Sequence, residues 1–459
     1  MTMTNKITNI KEVLSEPVTI PVEAYVSESY ARDERDKLWR KVWLQAGRVE
    51  EVPEPGNFIT YEVLDDSVII VMTDEGIRAY HNACPHRGRR LIDVPPGARN
   101  AKGQRSQFFC GYHGWRFNTR GENTHIPHQD DWQGVLDKQC TSLTPVKVDT
   151  WGGWIWINLD SDCEPLQDYL DPVTSMLDPF ELQNMRFRWR KWGVFDCNWK
   201  VAMEAFNETY HVQTTHPEFN KYGAFRGWAK THGKHSNIGY ERPKDMDENQ
   251  SAKLRVSEND DPRVSTAEMQ TYTWEKANTN TTQTLVDAAN RLAEELPEGT
   301  PADQVLKHWI ESARKDDEAR GVIWPTVDPA HVAKSGTAWQ IFPNFQIGHS
   351  VNNALCYSAR PHGYDPDKCI FEAAVYELFP PGEEPQTEWE FSPPTEEAWC
   401  YVLSQDFSNM AAVQQGMKSM GFSGTKPNPY MERSTANLHR NLAQYMGTGS
   451  PKPLGDNKK

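Results

Sequence analysis

No run of 18 apolar residues occurs in the 459-residue chain, so no membrane-spanning helix is expected. The strongest short apolar run, Ser67-Val-Ile-Ile-Val-Met72, has the length of a strand core. Basic charge is in deficit: 49 Lys and Arg stand against 64 Asp and Glu, a formal net charge of −15. That balance argues against nucleic acid and against an anionic membrane as partners. The first residues, Met1-Thr-Met-Thr-Asn-Lys6, have no apolar signal core. Cysteine is sparse. Apart from Cys84 and Cys110, the eight cysteines are scattered singly at Cys140, Cys163, Cys197, Cys356, Cys369 and Cys400. Such scatter suits a reducing cytoplasm better than a disulfide framework. No dinucleotide fingerprint is evident, so any nicotinamide-dependent step belongs to another protein. Repeats are absent, and Gly447–Lys459 reads as a frayed tail.

Two short boxes are present instead: Cys84-Pro85-His86 and, after the intervening residues 87–109, Cys110-Gly111-Tyr112-His113. Each pairs one thiolate with one imidazole. Two Cys and two His are what a Rieske-type [2Fe–2S] centre requires, with thiolates on one iron and imidazoles on the other. Gly88 and Gly114 follow the boxes and permit the tight turns that aim amide N–H groups at sulfur. A Cys2His2 zinc site is the alternative, but zinc spacings group like ligands together, and here each loop is mixed.

The length predicts two or three domains. Residues 20–45 read as a polar helix with an apolar stripe at Leu38, Trp39 and Val42. From about 46 to 165 short alternating strands take over. Residues 160–178 read as an acidic, proline-bearing linker, and 187–192 as a strand. Residues 245–282 are poor in apolar side chains and read as long loops. A helix is expected over 301–320, strands over 338–345, 354–358 and 371–376, and one long helix over 396–420. The 17 tryptophans are expected mainly in cores and interfaces. The stretch 95–103, rich in Pro and Gly, reads as an inserted surface loop.

A second metal motif lies in Glu204-Ala-Phe-Asn-Glu208-Thr-Tyr-His211-Val-Gln-Thr-Thr-His216-Pro217. Five residues on a straight helix turn about 140°, which would point His211 and His216 apart. A residue before proline is pushed out of the helical region. The helix is therefore expected to end near Thr215, letting His216 swing towards the metal of His211. Glu204, Glu208 and His211 would share a face. Two histidines and one carboxylate with open positions form the facial triad of non-haem Fe(II) oxygenases. The expected third ligand is Asp406, since Met410, Val413 and Met417 follow it on an amphipathic stripe. A lone acid on such a stripe is costly unless paired or metal-bound. Its other reading is a helix N-cap.

With Arg87-Gly88-Arg89, Gly111-Tyr-His-Gly-Trp115, Asn198-Trp-Lys200, Pro343-Asn344 and Asp406-x-x-Asn409-Met410, the chain resembles, over nearly its whole length, the large (α) subunit of Rieske non-haem iron ring-hydroxylating oxygenases. The resemblance implies an α+β fold: an all-β Rieske domain (46–165) and a helix-grip catalytic domain (166–459). In the latter a long helix packs on an antiparallel sheet, and an N-terminal segment (1–45) returns to it. It implies that Cys84, His86, Cys110 and His113 bind the cluster and that His211, His216 and Asp406 bind Fe(II). It also implies a trimer in which an acid, here Glu208, bridges a cluster histidine of one subunit to an iron histidine of the next. Most ring-hydroxylating members have Asp at that place. A glutamate there is similar to members acting on quaternary amines.

The implied reaction is reductive O2 activation with electrons from an external ferredoxin or flavin reductase, giving hydroxylation, above all cis-dihydroxylation, of an aromatic or other apolar ring. The alternatives are a Rieske monooxygenase acting as an O- or N-demethylase or as a quaternary-amine or steroid-like hydroxylase, and a bare electron-transfer protein. The length after residue 165 argues against the last. A small β subunit remains open. The pocket is expected to be mainly apolar, with Val201, Phe206, Phe342, Phe345, Ile347, Leu355 and Trp399 as candidates. Phe206 and Phe345 are favoured, and Arg226 and Arg360 are the cations available for a substrate carboxylate.

Overall fold

Alternating strands after residue 43 close into the first unit of the computed structural model, which describes residues 16–221, 226–241 and 261–455. A seven-stranded sheet runs in the order Leu44–Arg48, Trp154–Asn158, Pro145–Trp151, Gly76–His81, Asp66–Thr73, Asn57–Val63 and Lys102–Gln104. A three-stranded sheet, Gln107–Phe109, Arg116–Asn118 and Asn123–His125, stands beside it. A separate apolar core beneath the two Cys/His loops contains Phe58, Ile69, Val71, Tyr80, Phe108 and Phe117, and takes in Cys84 and Cys110 themselves.

The second unit is an eight-stranded sheet: Arg226–His232, His235–Glu241, Ala338–Ile341, Phe345–His349, Asn353–Pro361, Cys369–Glu377, Arg186–Phe195 and Glu390–Phe391. All its pairings are antiparallel except the last. The helix Tyr401–Met417 meets the sheet through Phe407, whose ring lies 4.8 Å from Phe195 and 5.6 Å from Phe371. The helix Arg433–Met446 packs across Arg226–His232 and His235–Glu241. The expected α+β class, an all-β first unit followed by a second unit of antiparallel sheet and helices, is thus the observed one. The tryptophans join the two units. Trp154 and Trp156 lie edge-on to Phe345 at 5.4 and 5.7 Å, and Arg48 stacks over Trp154 and Tyr376 while donating to Met185 O at 2.6 Å.

Several expectations are corrected. The loop reading of 245–282 fails where it can be compared: residues 245–260 lie outside the described residues, and Pro262–Tyr272 is a helix. The Asp261 side chain caps it by accepting from Arg263 N at 3.0 Å. Small polar residues such as Ser265 and Thr266 are its buried face, so no apolar stripe announced it. The supposed linker 160–178 carries the short helices Leu166–Leu170 and Val173–Leu177, with Leu166, Tyr169, Leu170 and Leu177 buried. The expected helix 396–420 is two, Glu396–Trp399 and Tyr401–Met417, broken at Cys400, whose φ is 121°. The tail is not wholly frayed, since Lys452–Pro453 pairs with Val18–Thr19. The insertion 95–103 is only partly a surface loop. Arg99 and Ala101 are buried, and the chain leaves it as the edge strand Lys102–Gln104.

The N-terminal segment folds as Glu23–Val26, Glu28–Glu34 and a wider turn at Arg35–Trp39. It sits against the second unit's helix Trp199–Glu204. Lys200 Nζ and Glu34 Oε1 are 2.6 Å apart, and the Tyr25 hydroxyl donates to Glu204 Oε1 at 3.0 Å.

Candidate metal centres and substrate cavity

The two Cys/His loops are closed by the same pair of backbone bonds. Cys84 N–H donates to Arg89 O and Gly88 N–H to Cys84 O; Cys110 N–H donates to Trp115 O and Gly114 N–H to Cys110 O. Both turns need a left-handed residue, supplied by Gly88 at φ 75° and Gly114 at φ 77°. The geometry brings the four sequence candidates together. Cys84 and Cys110 are buried free thiols. The His86 and His113 rings lie 4.6 Å apart. Trp115 stacks on His86 at 5.1 Å and fixes its plane. Burial pushes the Cys84 thiol up to about 11, the behaviour of a sulfur that has neither water nor a cation to stabilise its thiolate. His86 Nδ1 is buried without a partner among the described residues. These features fit a [2Fe–2S] cluster, whose irons would take the two thiolates and the two imidazoles.

The second motif does not form one continuous helix. Trp199–Glu204 ends first, residues 205–211 cross as an irregular turn, and Val212–Thr215 makes a single helical turn with His216 at its C-cap. Glu204 therefore leaves the expected face and binds Tyr25 and His439, at 3.0 and 2.6 Å. The irregular turn is pinned on all sides. Phe206 stacks on Tyr357 at 4.1 Å, and Gln346 Nε2 donates to Phe206 O. The Asn207 side-chain Oδ1 accepts from Thr435 Oγ1 at 3.0 Å, and Thr209 lies on Gly227, where an added Cβ would come 1.5 Å from its hydroxyl.

His211, His216 and Asp406 each present one ligand atom, and all three atoms lie within 4.8 Å of one another. Asp406 Oδ1 is 3.0 Å from His216 Nε2 and 3.4 Å from His211 Nε2. Asp406 is buried inside the helix Tyr401–Met417, not at its N-cap. The outer ring nitrogens are held from behind: His211 Nδ1 by Glu208 Oε1 at 2.6 Å, and His216 Nδ1 by Gln405 Oε1 at 2.8 Å. Each Nδ1–H donates outward, so each Nε2 turns a lone pair inward. Two lone pairs facing a carboxylate attract it only through a proton or a cation. Burial opposes the imidazolium at His211, yet hydrogen bonds to Asp406 and Glu208 prevail and raise it to about 10. Burial likewise opposes the Asp406 carboxylate, and the two imidazoles hold it below its usual range. The site calls for positive charge where an Fe(II) would sit, and its donor set fits that ion. Sequence reading missed Gln405 and Glu218, which accepts from Tyr401 OH at 2.7 Å and steadies Gln405; their adjacency to Asp406 and His216 was the available signal.

A cavity of about 480 Å³ opens from this set. Of the nominated pocket residues, Phe206 and Leu355 line it. Val201, Phe342, Phe345, Ile347 and Trp399 do not, and the reason is strand parity for two of them. Gly348 pairs with Leu355 and faces the cavity, whereas Ile347 pairs with Cys356 and faces the other way with Phe345. Phe342 stacks on Tyr445, and Trp399 packs on Phe195 and Phe407. Val201 is buried on the helix Trp199–Glu204. Tyr357, Val402, Leu403 and Met269 supply apolar wall that was not nominated. Arg360 is committed to Glu372, and Arg226 stacks over Tyr430. Neither lines the cavity.

Comparison with known proteins gives two family matches. Residues 42–146 match the Rieske [2Fe–2S] domain, and residues 167–448 match the ring hydroxylating alpha subunit catalytic domain. The chain is 27% identical over 218 residues to the carnitine monooxygenase oxygenase subunit of Acinetobacter baumannii, covering 47% of this chain and 57% of that one. It is 34% identical over 200 residues to the large oxygenase component of the naphthalene 1,2-dioxygenase system of Pseudomonas putida, covering 41% and 42%. The chain thus spans about half the length of the curated relatives it matches. The crystal structure of a quaternary ammonium Rieske monooxygenase with L-carnitine shares the fold, with a TM-score of 0.62 at 18% identity over 95% of this chain and 97% of that one.

Proposed function

This chain belongs to the ring-hydroxylating family of Rieske oxygenase large subunits, and from that membership we propose that it is the terminal oxygenase of a multicomponent system that hydroxylates an apolar ring with O2 and electrons from a separate NAD(P)H-dependent reductase. The observation that carries this reading is the convergence of His211, His216 and Asp406 at one end of a largely apolar cavity, in the same chain as two Cys/His loops. When bound, the cluster supplies single electrons, and the mononuclear iron supplies open positions for O2 beside substrate. Cys84, His86, Cys110 and His113 would hold the first, and His211, His216 and Asp406 the second.

The remaining tasks fall to the chain's own groups. Glu208 and Gln405 hold the Nδ1–H of His211 and His216 and so fix which nitrogen each ring turns inward. Phe206, Leu355, Tyr357, Val402 and Leu403 exclude water and hold an apolar ring against the triad. His113 is exposed at the tip of its loop, and the carboxylate of Glu208 is one hydrogen bond from His211. Glu208 is then the bridge that carries the electron from His113 of the partner subunit to His211 in a homotrimer. The overall reaction consumes substrate, O2, two electrons and two protons. It yields a cis-diol, or in the monooxygenase case one hydroxyl and water.

A second reading, monooxygenation with demethylation or hydroxylation of a quaternary amine, is favoured by the glutamate at 208 and by likeness to a carnitine monooxygenase subunit. Turnover of a substrate panel under 18O2 separates the two. Two labelled oxygens in a cis-diol establish dioxygenation, and one labelled oxygen establishes monooxygenation. Absence of any labelled product with a reduced cluster and loaded iron would leave only the electron-transfer reading.

A further inference from the structure

The end of the cavity away from the triad is built differently from the rest. Asn353, Leu355 and Tyr357 lie on one face of the strand Asn353–Pro361, and all three line the cavity. Tyr357 touches Phe206 of the metal-binding turn. Asn353, four residues back, is about 13 Å further out along the strand. Ser350 N–H donates to Asn353 O at 2.9 Å, and Gln270, Thr273 and Thr279 line the same cavity. Asn353, Gln270 and Thr273 are each more than nine-tenths buried.

The hydrogen bonds around these groups fix what they present. Leu285 N–H donates to Thr282 Oγ1 at 3.3 Å, and Asn352 Nδ2 donates to the same hydroxyl at 3.3 Å. Asn353 Nδ2 donates to Asn352 Oδ1 at 2.9 Å. In this arrangement Asn353 spends one amide N–H on Asn352 and keeps its carbonyl oxygen to accept. Gln270 has its oxygen occupied by the Thr281 hydroxyl at 2.5 Å, which leaves its amino group to donate. The Thr273 hydroxyl is buried with no partner among the described residues. Buried polar groups left without partners are costly and rare. Here an acceptor and a donor share one largely apolar chamber, with the Thr273 hydroxyl sealed in its wall.

We propose that this end is a specificity subsite that reads an uncharged group able both to donate and to accept, a hydroxyl or carboxamide, placed on the substrate distal to the position that is oxygenated. The proposal rests on the cavity being the substrate site. Asn353 Oδ1 takes the proton of that group, and Gln270 Nε2 donates to its oxygen. A carboxylate has no proton to give and meets the Asn353 oxygen as a like dipole, so the subsite rejects it.

The test is equilibrium binding to the holoprotein, both metals loaded, under argon and without reductant, so that turnover is not needed. The probes are biphenyl, 4-biphenylmethanol and 4-biphenylcarboxylate, which differ only at the distal end. The alcohol should bind roughly tenfold tighter than biphenyl, the margin of one well-placed hydrogen bond. The carboxylate should bind more weakly than the alcohol by at least that factor. Asn353→Leu and, independently, Gln270→Leu should each bring the alcohol-to-biphenyl ratio towards one. Equal affinities in the native protein, tighter binding of the carboxylate, a ratio that survives both substitutions, or no binding of any probe would each overturn the subsite. Oxygenation of the same probes, measured separately with O2 and electrons, reports on the catalytic reading and is independent of these outcomes.

Discussion

Glu208 engages both carboxylate oxygens within its own turn: one faces His211 Nδ1, and the other accepts from the backbone N–H groups of Tyr210 and His211. It therefore orients a ligand without entering the triad. Glu208→Gln keeps the size and loses one acceptor set. Both metals should stay bound while cluster oxidation in a single turnover of pre-reduced protein slows by about 100-fold. Loss of the mononuclear iron would make Glu208 a ligand, and an unchanged rate would remove it from the electron path. Asp406→Ala should behave oppositely: the Rieske absorbance persists while iron analysis falls from about three to about two per chain and oxygenation ceases. Retained turnover would move the third ligand elsewhere. Gly227 is a quieter dependency. A methyl there would collide with Thr209 in the turn between Glu208 and His211. Gly227→Ala should weaken the mononuclear iron by at least tenfold, read by chelator competition, with the cluster untouched.

At the level of elements, the insertion between the two Cys/His loops clamps one unit to the other. Arg99 sends a two-pronged fork to Glu372 of the strand Cys369–Glu377, at 2.7 and 2.8 Å, and stacks over Trp389 at 4.1 Å. Arg360 shares the same carboxylate. All three groups are buried. One carboxylate thus compensates two guanidinium groups in a low-dielectric place. Glu372→Gln leaves both cations unpaired and should cost about 3–5 kcal/mol. Arg99→Met leaves Arg360 and Glu372 as a neutral pair and should cost clearly less. Denaturant midpoints of the two variants check the order, and equal losses would contradict it. The break at Cys400 has a similar local logic. Its left-handed φ ends one helix and restarts the next, so that Asp406 arrives one and a half turns into a fresh helix, aimed at the histidines.

Across the whole molecule, acid stability follows from groups that folding buries. His235 donates from Nε2 to Tyr169 O at 2.7 Å and accepts the Phe342 N–H on Nδ1 at 3.2 Å, so it is held neutral, and burial lowers it to about 4. Its folded value lies below its unfolded one, so the unfolded chain binds the extra proton first. The stability it contributes is complete above pH 6.5 and is lost as pH falls towards 4, on the order of 3 kcal/mol. Glu372 is held down to about 2, since Arg360 and Arg99 outweigh the burial that opposes its charge. Its contribution is present above pH 4.5 and disappears below it. His235→Gln should therefore flatten the slope of unfolding free energy between pH 6.5 and 4 by about one proton, leaving the limb below pH 4 to Glu372. An unaltered slope would show that His235 titrates normally. The Cys/His loops were legible in the sequence because each is closed by its own backbone bonds and needs nothing distant to take shape. The His211 and His216 pair was legible for the same local reason, a single turn stopped by Pro217. Strand alternation located both sheets. What the chain alone did not determine was which side of each strand meets the cavity, because a buried strand is apolar on both faces and parity is decided by the partner layer. Hence Phe345 turned to the tryptophans of the first unit, and Gln346 and Gly348 to the cavity. The helix Pro262–Tyr272, the clamp at Arg99 and the polar end at Asn353 were likewise decided in three dimensions. Arg99 reaches Glu372, Gln270 meets Thr281 and Asn352 meets Thr282, polar pairings between separate segments that no local periodicity records.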